Sequence, residues 1–189
     1  GRSLDPNKGL TVVEIMNAIN EGKINGMYVM GENPAMSDPD QAHARAALSV
    51  LDHLVVQDIF FTETAWFADV IFPASAQAEK LGTYTNSNRQ VQLGRPVVDM
   101  PGDARQDWEL IVELAKRCGL DWSYKHVSEV YTEMASHMES LDNISWSRLE
   151  KESSVCYPSF ATDLPGEEII FFSGFPTSTG KAKIVPTDL

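Results

Sequence analysis

Basic charge is what this sequence is short of. Lys and Arg total 15 against 27 Asp and Glu, giving a formal net charge of −12 and a pI of about 4.6. Free nucleic acid and anionic membrane surfaces both need a basic footprint, so neither is an expected partner. An anionic cofactor is a different case, because backbone N–H groups and helix N-termini can hold one locally inside an acidic protein. Cysteine is nearly as scarce. Cys118 and Cys156 have no metal-ligand spacing, which argues against a structural zinc or an iron–sulfur cluster within this segment. Two isolated cysteines fit a reducing compartment, and the cytoplasm is the expected location. His43, His53, His126 and His137 form no ligand pattern and read as surface or core residues. No apolar run approaches the length of a membrane span, and Gly1-Arg2-Ser3 does not begin a signal peptide, so no membrane span is expected. Internal repeats and low-complexity tracts are absent.

What is present is an ordinary globular composition. A chain of 189 residues with 43% apolar content suits one domain, or one domain and part of a second, with a real core. The absence of a starting Met makes it read as a piece of something larger, with Gly1-Arg2-Ser3 as a cloning remnant within a lead-in over residues 1–10. Thr11-Val12-Val13-Glu14 is a capping-box pattern, and the helix behind it places Val12, Ile15, Met16 and Ile19 on one face before stopping at Gly22. Met27 to Met30 reads as a strand buried on both faces and ended by Gly31. Ser37 or Asp38, with Pro39 after it, caps a second helix running to about Leu51. Leu54 to Asp58 is a second strand, Thr62 or Thr64 starts a short helix through Phe67, and Val70 to Phe72 is a third strand stopped by Pro73. This alternation predicts right-handed crossovers and a parallel sheet, whose ligands sit at the carboxyl ends of its strands.

The second half is less patterned. Gln90 to Leu93 alternates like an edge strand inside a long loop from Ala74 to Pro101. A helix opens near Asp107, with Trp108, Ile111, Val112, Leu114 and Ala115 as its buried stripe, and ends at Gly119. Val127 to Met138 and Ile144 to about Glu152 read as helices, with the methionines and aromatics at helical spacing assigned to the core. Glu168 to Phe172 and Ala182 to Val185 read as strands. Asn143-Ile144-Ser145 matches a glycosylation acceptor by pattern alone.

Several of these segments together carry a family resemblance. Tyr28-Val29-Met30-Gly31-Glu32-Asn33-Pro34, Val56-Gln57-Asp58-Ile59-Phe60 and Thr62-Glu63-Thr64-Ala65 resemble the molybdopterin oxidoreductase superfamily. So do Ala68-Asp69-Val70-Ile71-Phe72-Pro73, Ala78-Glu79-Lys80-Leu81-Gly82-Thr83-Tyr84-Thr85-Asn86 and Asp107-Trp108-Glu109. Within the superfamily the sequence is similar to the catalytic subunit of formate dehydrogenase over roughly Gly9 to Lys183. Each motif is weak alone; their order and spacing carry the resemblance.

The resemblance implies a fragment of the second α/β domain of such a subunit. The expected fold class is α/β, a three-layer Rossmann-like domain with a mainly parallel sheet flanked by helices, truncated, with extra C-terminal helices. Residues 11–174 would be part of the domain that binds molybdopterin guanine dinucleotide, and residues 175–189 a linker toward a C-terminal domain. The full enzyme would carry molybdenum or tungsten on this cofactor and oxidise formate to carbon dioxide. Its partners would be the remaining domains of the same subunit and electron-transfer subunits. The metal-binding Cys or selenocysteine would lie upstream, so Cys156, followed by Tyr157, is not that ligand and this chain holds no catalytic residue. Self-association of the fragment is expected from uncovered apolar faces.

For cofactor contact the resemblance and the strand-end positions together nominate Gly31, Glu32, Asn33, Ser37, Gln57, Asp58, Ala74 and Asp107. A guanine edge offers adjacent N1–H and N2–H donors that a carboxylate accepts as a pair. The plainer readings are a turn before proline for Asn33, strand-end capping for Gln57 and Asp58, and a helix-dipole partner for Asp107. Thr85, Asn86 and Arg89 fall near the cofactor by resemblance and in a solvated loop otherwise. Nitrate reductases and the large subunit of respiratory NADH dehydrogenase share these motifs, the latter without the pterin. A non-catalytic α/β interaction module is the remaining alternative.

Overall fold

The computed structural model describes residues 6–186; residues 1–5 and 187–189, and with them the readings made of Gly1-Arg2-Ser3 and of the last three residues, lie outside the described residues. By packing, the chain forms two compact units, Gly1–Lys80 with Val97–Leu120 and Leu81–Pro96 with Asp121–Leu189. Each is built separately below.

In the first unit, helix α1 (Val12–Asn20) begins as the pattern requires. The Glu14 N–H donates to Thr11 Oγ1 at 3.4 Å, and the Thr11 N–H donates to Glu14 Oε2 at 2.6 Å. Those bonds hold the Glu14 carboxyl below its usual range. The buried face is Met16, Ala18 and Ile19, while Val12 is exposed, contrary to expectation. Strand β1 (Gly26–Met30) follows, ended by Gly31 at φ 65°, a left-handed conformation suited to glycine. The next helical start is corrected twice. Pro34 opens a short helix α2 (Pro34–Ser37), and the longer helix α3 (Gln41–Ser49) is capped by Asp40, whose Oδ1 accepts from the His43 N–H at 3.1 Å. Neither Ser37 nor Asp38 caps it, because Ser37 still belongs to α2.

Strands β2 (His53–Asp58) and β3 (Val70–Pro73) complete a three-stranded parallel sheet in the order β1-β2-β3, with a 3₁₀ turn at Ala65–Phe67 between them. The parallel sheet flanked by helices is the expected fold class. One face carries Val29, Leu54 and Val56 into a core with Ala35, Leu48 and Ala65; Met16, Ile19, Ala44 and Ala47 extend it. The other face carries Tyr28, Met30, Val55, Gln57 and Phe72, as the register dictates. Tyr28 and Met30 are exposed there, so β1 is buried on one face only; no third strand layer covers its outer side among the described residues. Helix α4 (Asp107–Arg117) buries Leu110, Val112 and Ala115; Leu114 is exposed and Trp108 half-buried, a rotation of the expected stripe by about one residue.

The second unit is built on an antiparallel sheet. Strands β4 (Gly82–Thr85), β5 (Gln90–Gly94) and β6 (Ser154–Cys156) pair in that order, so Gln90 to Leu93 is the central strand and not an edge. The long loop expected after Ala74 thus contains a hairpin. Helices α5 (Val127–Ala135) and α6 (Trp146–Glu152) pack Tyr131, Trp146 and Leu149 against Val91, Leu93 and Val155. Helix α5 stops before Met138, and Met134 and Met138 are exposed, so these methionines are surface and not core. Helix α6 starts after the Ser145 cap, two residues later than expected. The runs expected as strands at Glu168 to Phe172 and Ala182 to Val185 form turns and coil, since neither has a strand partner. Arg148, 7% exposed, donates to the carbonyls of Asn143, Ala161 and Leu164 and to Ser159 Oγ, and pairs with Glu152 at 3.0 Å. Arg89 donates likewise to the carbonyls of Tyr157, Glu167 and Glu168. These two arginines tie the coil after β6 to its own unit.

Candidate functional site

All eight nominated residues belong to the first unit; Gly31, Glu32, Asn33, Gln57, Asp58 and Ala74 lie at or just past the carboxyl ends of its strands, while Ser37 ends α2 and Asp107 begins α4. The centre is Gln57, the penultimate residue of β2 and 0% exposed. A fully buried primary amide must find partners or cost about 1–3 kcal/mol. Its Oε1 accepts from the Tyr28 hydroxyl, and its Nε2 donates to Asp107 Oδ1 at 2.7 Å. Asp107, the first residue of α4, also pairs through Oδ2 with the Lys80 ammonium. Lys80 Nζ donates in turn to the Ser75 carbonyl at 2.8 Å. Tyr28, Gln57, Asp107, Lys80 and the main chain after β3 thus form one chain of hydrogen bonds. Burial, and then the nearby Asp107 charge, push the Tyr28 hydroxyl above its ordinary pKa. The Asp107 side chain, in the middle of this network, stays 30% exposed.

The other nominees divide by how their side chains are used. Asn33 is spent on the fold: its Oδ1 accepts from the Thr64 N–H at 3.1 Å and the Thr64 hydroxyl at 2.8 Å, and its Nδ2 donates to Glu63 at 2.7 Å. It clamps the loop after β1 to the connection between β2 and β3. The Asn33 amide also holds the Glu63 carboxyl below its usual pKa. Thr64 then accepts from the Ala35 N–H at 3.1 Å. Ser37 Oγ donates to the Asn33 carbonyl at 3.0 Å. Asp58 Oδ1 caps its own loop, accepting from the N–H groups of Ile59 at 2.7 Å and Phe60 at 3.2 Å. Gly31 N–H donates to the Gln57 carbonyl at 2.9 Å, and Ala74 N–H to the Asp58 carbonyl at 3.0 Å. Glu32 is exposed. Gln57 and Asp107 are therefore brought into direct contact, whereas Asn33, Ser37 and Asp58 turn inward to shape the loops.

Thr85, Asn86 and Arg89 belong to the second unit. Asn86 Oδ1 accepts from the Gln90 N–H at 3.1 Å within the hairpin turn, and Arg89 is committed to main-chain carbonyls. Asn143, in the glycosylation-like pattern, donates its amide to the Ser159 carbonyl at 2.8 Å.

Tyr28, Lys80 and Ser75 were not singled out from the sequence. Tyr28 carried a signal, since strand alternation puts it on the face shared with Gln57. Lys80 and Ser75 carried none, because their meeting with Asp107 depends on how the chain folds back after β3. Ser75 Oγ is buried and has no hydrogen-bond partner among the described residues. An orphaned buried hydroxyl is the kind of group that a bound polar ligand satisfies, and the carbonyl of the same residue receives the Lys80 ammonium. No group of three or more His, Cys, Asp or Glu side chains that could hold a metal occurs among the described residues.

A parallel sheet flanked by helices, with a hydrogen-bonded network around a partly exposed carboxylate near the carboxyl end of its central strand, defines an α/β protein whose strand ends are where such folds place ligands. The sequence profile of the molybdopterin oxidoreductase family matches residues 3–117, more than half of the chain, and the chain belongs to that family. The F420-dependent formate dehydrogenase subunit alpha of Methanocaldococcus jannaschii is 41% identical over 98% of this chain and 28% of that relative. Among solved structures, acetylene hydratase from Pelobacter acetylenicus superposes with a TM-score of 0.65 at 22% identity, covering 89% of this chain and 23% of that one. That likeness speaks for the fold. The chain spans about a quarter of the length of the curated relative it matches. No helix among the described residues is long and apolar enough to cross a membrane.

Proposed function

We propose that this chain is the cofactor-binding α/β portion of a formate dehydrogenase catalytic subunit, and that it holds the guanine nucleotide end of a molybdopterin guanine dinucleotide. The observation that carries the reading is the Asp107 carboxylate, fixed by Gln57 and Lys80 and still partly exposed. A carboxylate has about four acceptor lone pairs. Gln57 and Lys80 occupy one on each oxygen, which leaves one on each for the paired donors of a guanine edge. The orphaned Ser75 hydroxyl offers a further polar contact. The donor set therefore suits the group. The cofactor, with molybdenum or tungsten, would supply the two-electron chemistry by which formate becomes carbon dioxide, a proton and two electrons. The residues here bind and orient.

The remaining domains of the same subunit and electron-transfer subunits are the proposed partners, and the cytoplasm the proposed location. Residues 11–174 are proposed as the cofactor-binding portion and the residues after them as a linker. Ile59, Phe60, Phe61 and Trp66 are exposed, with Phe61 and Trp66 in edge-to-face contact at 4.9 Å, a surface suited to burial by other parts of such a subunit or by a second copy. Light scattering across concentrations tests self-association; a constant monomer mass counts against it.

The reading is tested by dye reduction. The longer protein carrying this segment should reduce a viologen dye with formate, and the 189-residue chain alone should not. Turnover by the chain alone, or a longer protein that answers to nitrate and not to formate, overturns it.

A further inference from the structure

We infer that Gln57 and Lys80 are positioning residues for Asp107, holding its carboxylate so that each oxygen keeps a lone pair for a planar ring edge with two adjacent N–H donors. The inference rests on the nucleotide-binding reading above and deepens it, making the choice of base depend on the two residues that hold Asp107. The geometry has three parts. Gln57 cannot move, because it is 0% exposed and its other amide atom is taken by the Tyr28 hydroxyl. Its Nε2 therefore fixes Oδ1 of Asp107 from inside the sheet, at 2.7 Å. Lys80 fixes Oδ2 and is itself tethered to the Ser75 carbonyl at 2.8 Å, so its ammonium is not free to swing into solvent.

Two anchors on different oxygens set the carboxylate plane, whereas one would leave it free to rotate. A rotating carboxylate accepts any single donor; a fixed one selects a ligand with two donors at the right spacing. Guanine presents N1–H and N2–H. Hypoxanthine lacks the second donor, and adenine presents an acceptor at N1. The arrangement thus predicts base discrimination that depends on residues touching no part of the base. Lys80 also carries a positive charge, which would attract any nucleotide diphosphate. That second role would change all affinities together and leave their ratios alone.

The experiment measures binding of guanosine, inosine and adenosine diphosphates to the 189-residue chain by titration calorimetry, with circular dichroism as a fold check. The chain should prefer guanosine to inosine diphosphate by roughly tenfold or more, the effect of one hydrogen bond to a charged group. Lys80→Met should bring that ratio within about threefold, and Lys80→Arg, which keeps a positive charge and N–H donors for Asp107, should restore it. Asp107→Asn should abolish it. If Asp107→Asn leaves the ratio unchanged, or the chain shows no preference, the nucleotide reading fails and takes this inference with it. If Asp107→Asn abolishes the ratio but Lys80→Met preserves it, or weakens all three nucleotides equally, the reading stands and the positioning role is overturned. A collapse in Lys80→Met that Lys80→Arg does not restore also counts against it, because general damage would look the same.

Discussion

The two units bury polar side chains in opposite ways. In the second unit Arg148 and Arg89 send most of their donors to main-chain carbonyls, and Arg148 adds Ser159 Oγ and the Glu152 carboxylate of its own helix. In the first, Gln57 sends its donor to another side chain, Asp107, which stays partly exposed. An arginine on carbonyls finishes a fold: the acceptors are local backbone that the coil would otherwise leave unpaired. An amide on a carboxylate passes orientation outward to a group with capacity to spare. The same property, burial of a polar group, thus marks architecture in one unit and a candidate site in the other, and the distinguishing feature is what the donors hold: several carbonyls of one coil around Arg148, one carboxylate on a different element beside Gln57.

The comparison breaks most sharply at Arg148. Arg148→Met removes the donor from three carbonyls, from Ser159 Oγ and from Glu152. A loss of about 3–5 kcal/mol is expected from breaking such a buried charged cluster. Chemical denaturation measures it, and hydrogen exchange should show residues 157–167 losing protection first. An unchanged midpoint would mean that the coil is held by something other than this guanidinium. Gln57→Leu comes next. It strands the Tyr28 hydroxyl and Asp107 Oδ1, for about 2 kcal/mol, because both groups retain some access to water. Nucleotide preference should fall with it, whereas Arg148→Met should leave that preference intact in the folded fraction.

A third contrast is in pH. Tyr131 of the second unit is buried, with its hydroxyl donating to the Ile144 carbonyl at 2.6 Å, and burial pushes its pKa from 10.0 up to about 12. The folded state holds this proton more tightly than the unfolded one. Its contribution to stability is therefore whole below pH 10 and is lost as pH rises toward about 12. Denaturation midpoints measured across that window should fall, and Tyr131→Phe should flatten the fall. Tyr131→Phe keeps the apolar ring contacts but strands the Ile144 carbonyl, so its midpoint should start lower and the slope with pH is what decides.

How much of this was legible in the sequence follows local rules. The parallel sheet was, because Met27 to Met30, Leu54 to Asp58 and Val70 to Phe72 each form an apolar run between strong turn signals. The capping box at Thr11 and Glu14 was, since both partners lie within one turn. The second sheet was not: β6 comes from residues 154–156, more than sixty positions after the strand it pairs with, and three residues carry too little pattern to read. The site was half legible. Gln57 and Asp107 could be nominated from strand-end position and resemblance, but their contact spans 50 residues of sequence. Asn33 shows the converse. The resemblance and its place past a strand end suggested a ligand contact, yet its side-chain amide is engaged by Glu63 and Thr64, thirty residues on. Side-chain chemistry can be read along a chain; the partner that consumes it cannot.

The smallest expected effect makes the finest distinction. Ser75 and Gln57 are both 0% exposed, both polar and both at the ends of strands, but Gln57 has every group paired while the Ser75 hydroxyl has no partner. Removing a satisfied group exposes its partners to cost; removing an unsatisfied one relieves a cost already present. Ser75→Ala should therefore be neutral to stabilising by up to about 1 kcal/mol, opposite in sign to Gln57→Leu. The Ser75 carbonyl, which receives Lys80, is untouched by the change, so the Lys80–Asp107 pair and the nucleotide preference set by it should survive. Thermal denaturation of the two variants side by side decides the point. If Ser75→Ala destabilises the chain as Gln57→Leu does, then the hydroxyl has a partner in solution and the two residues are architecture of the same kind.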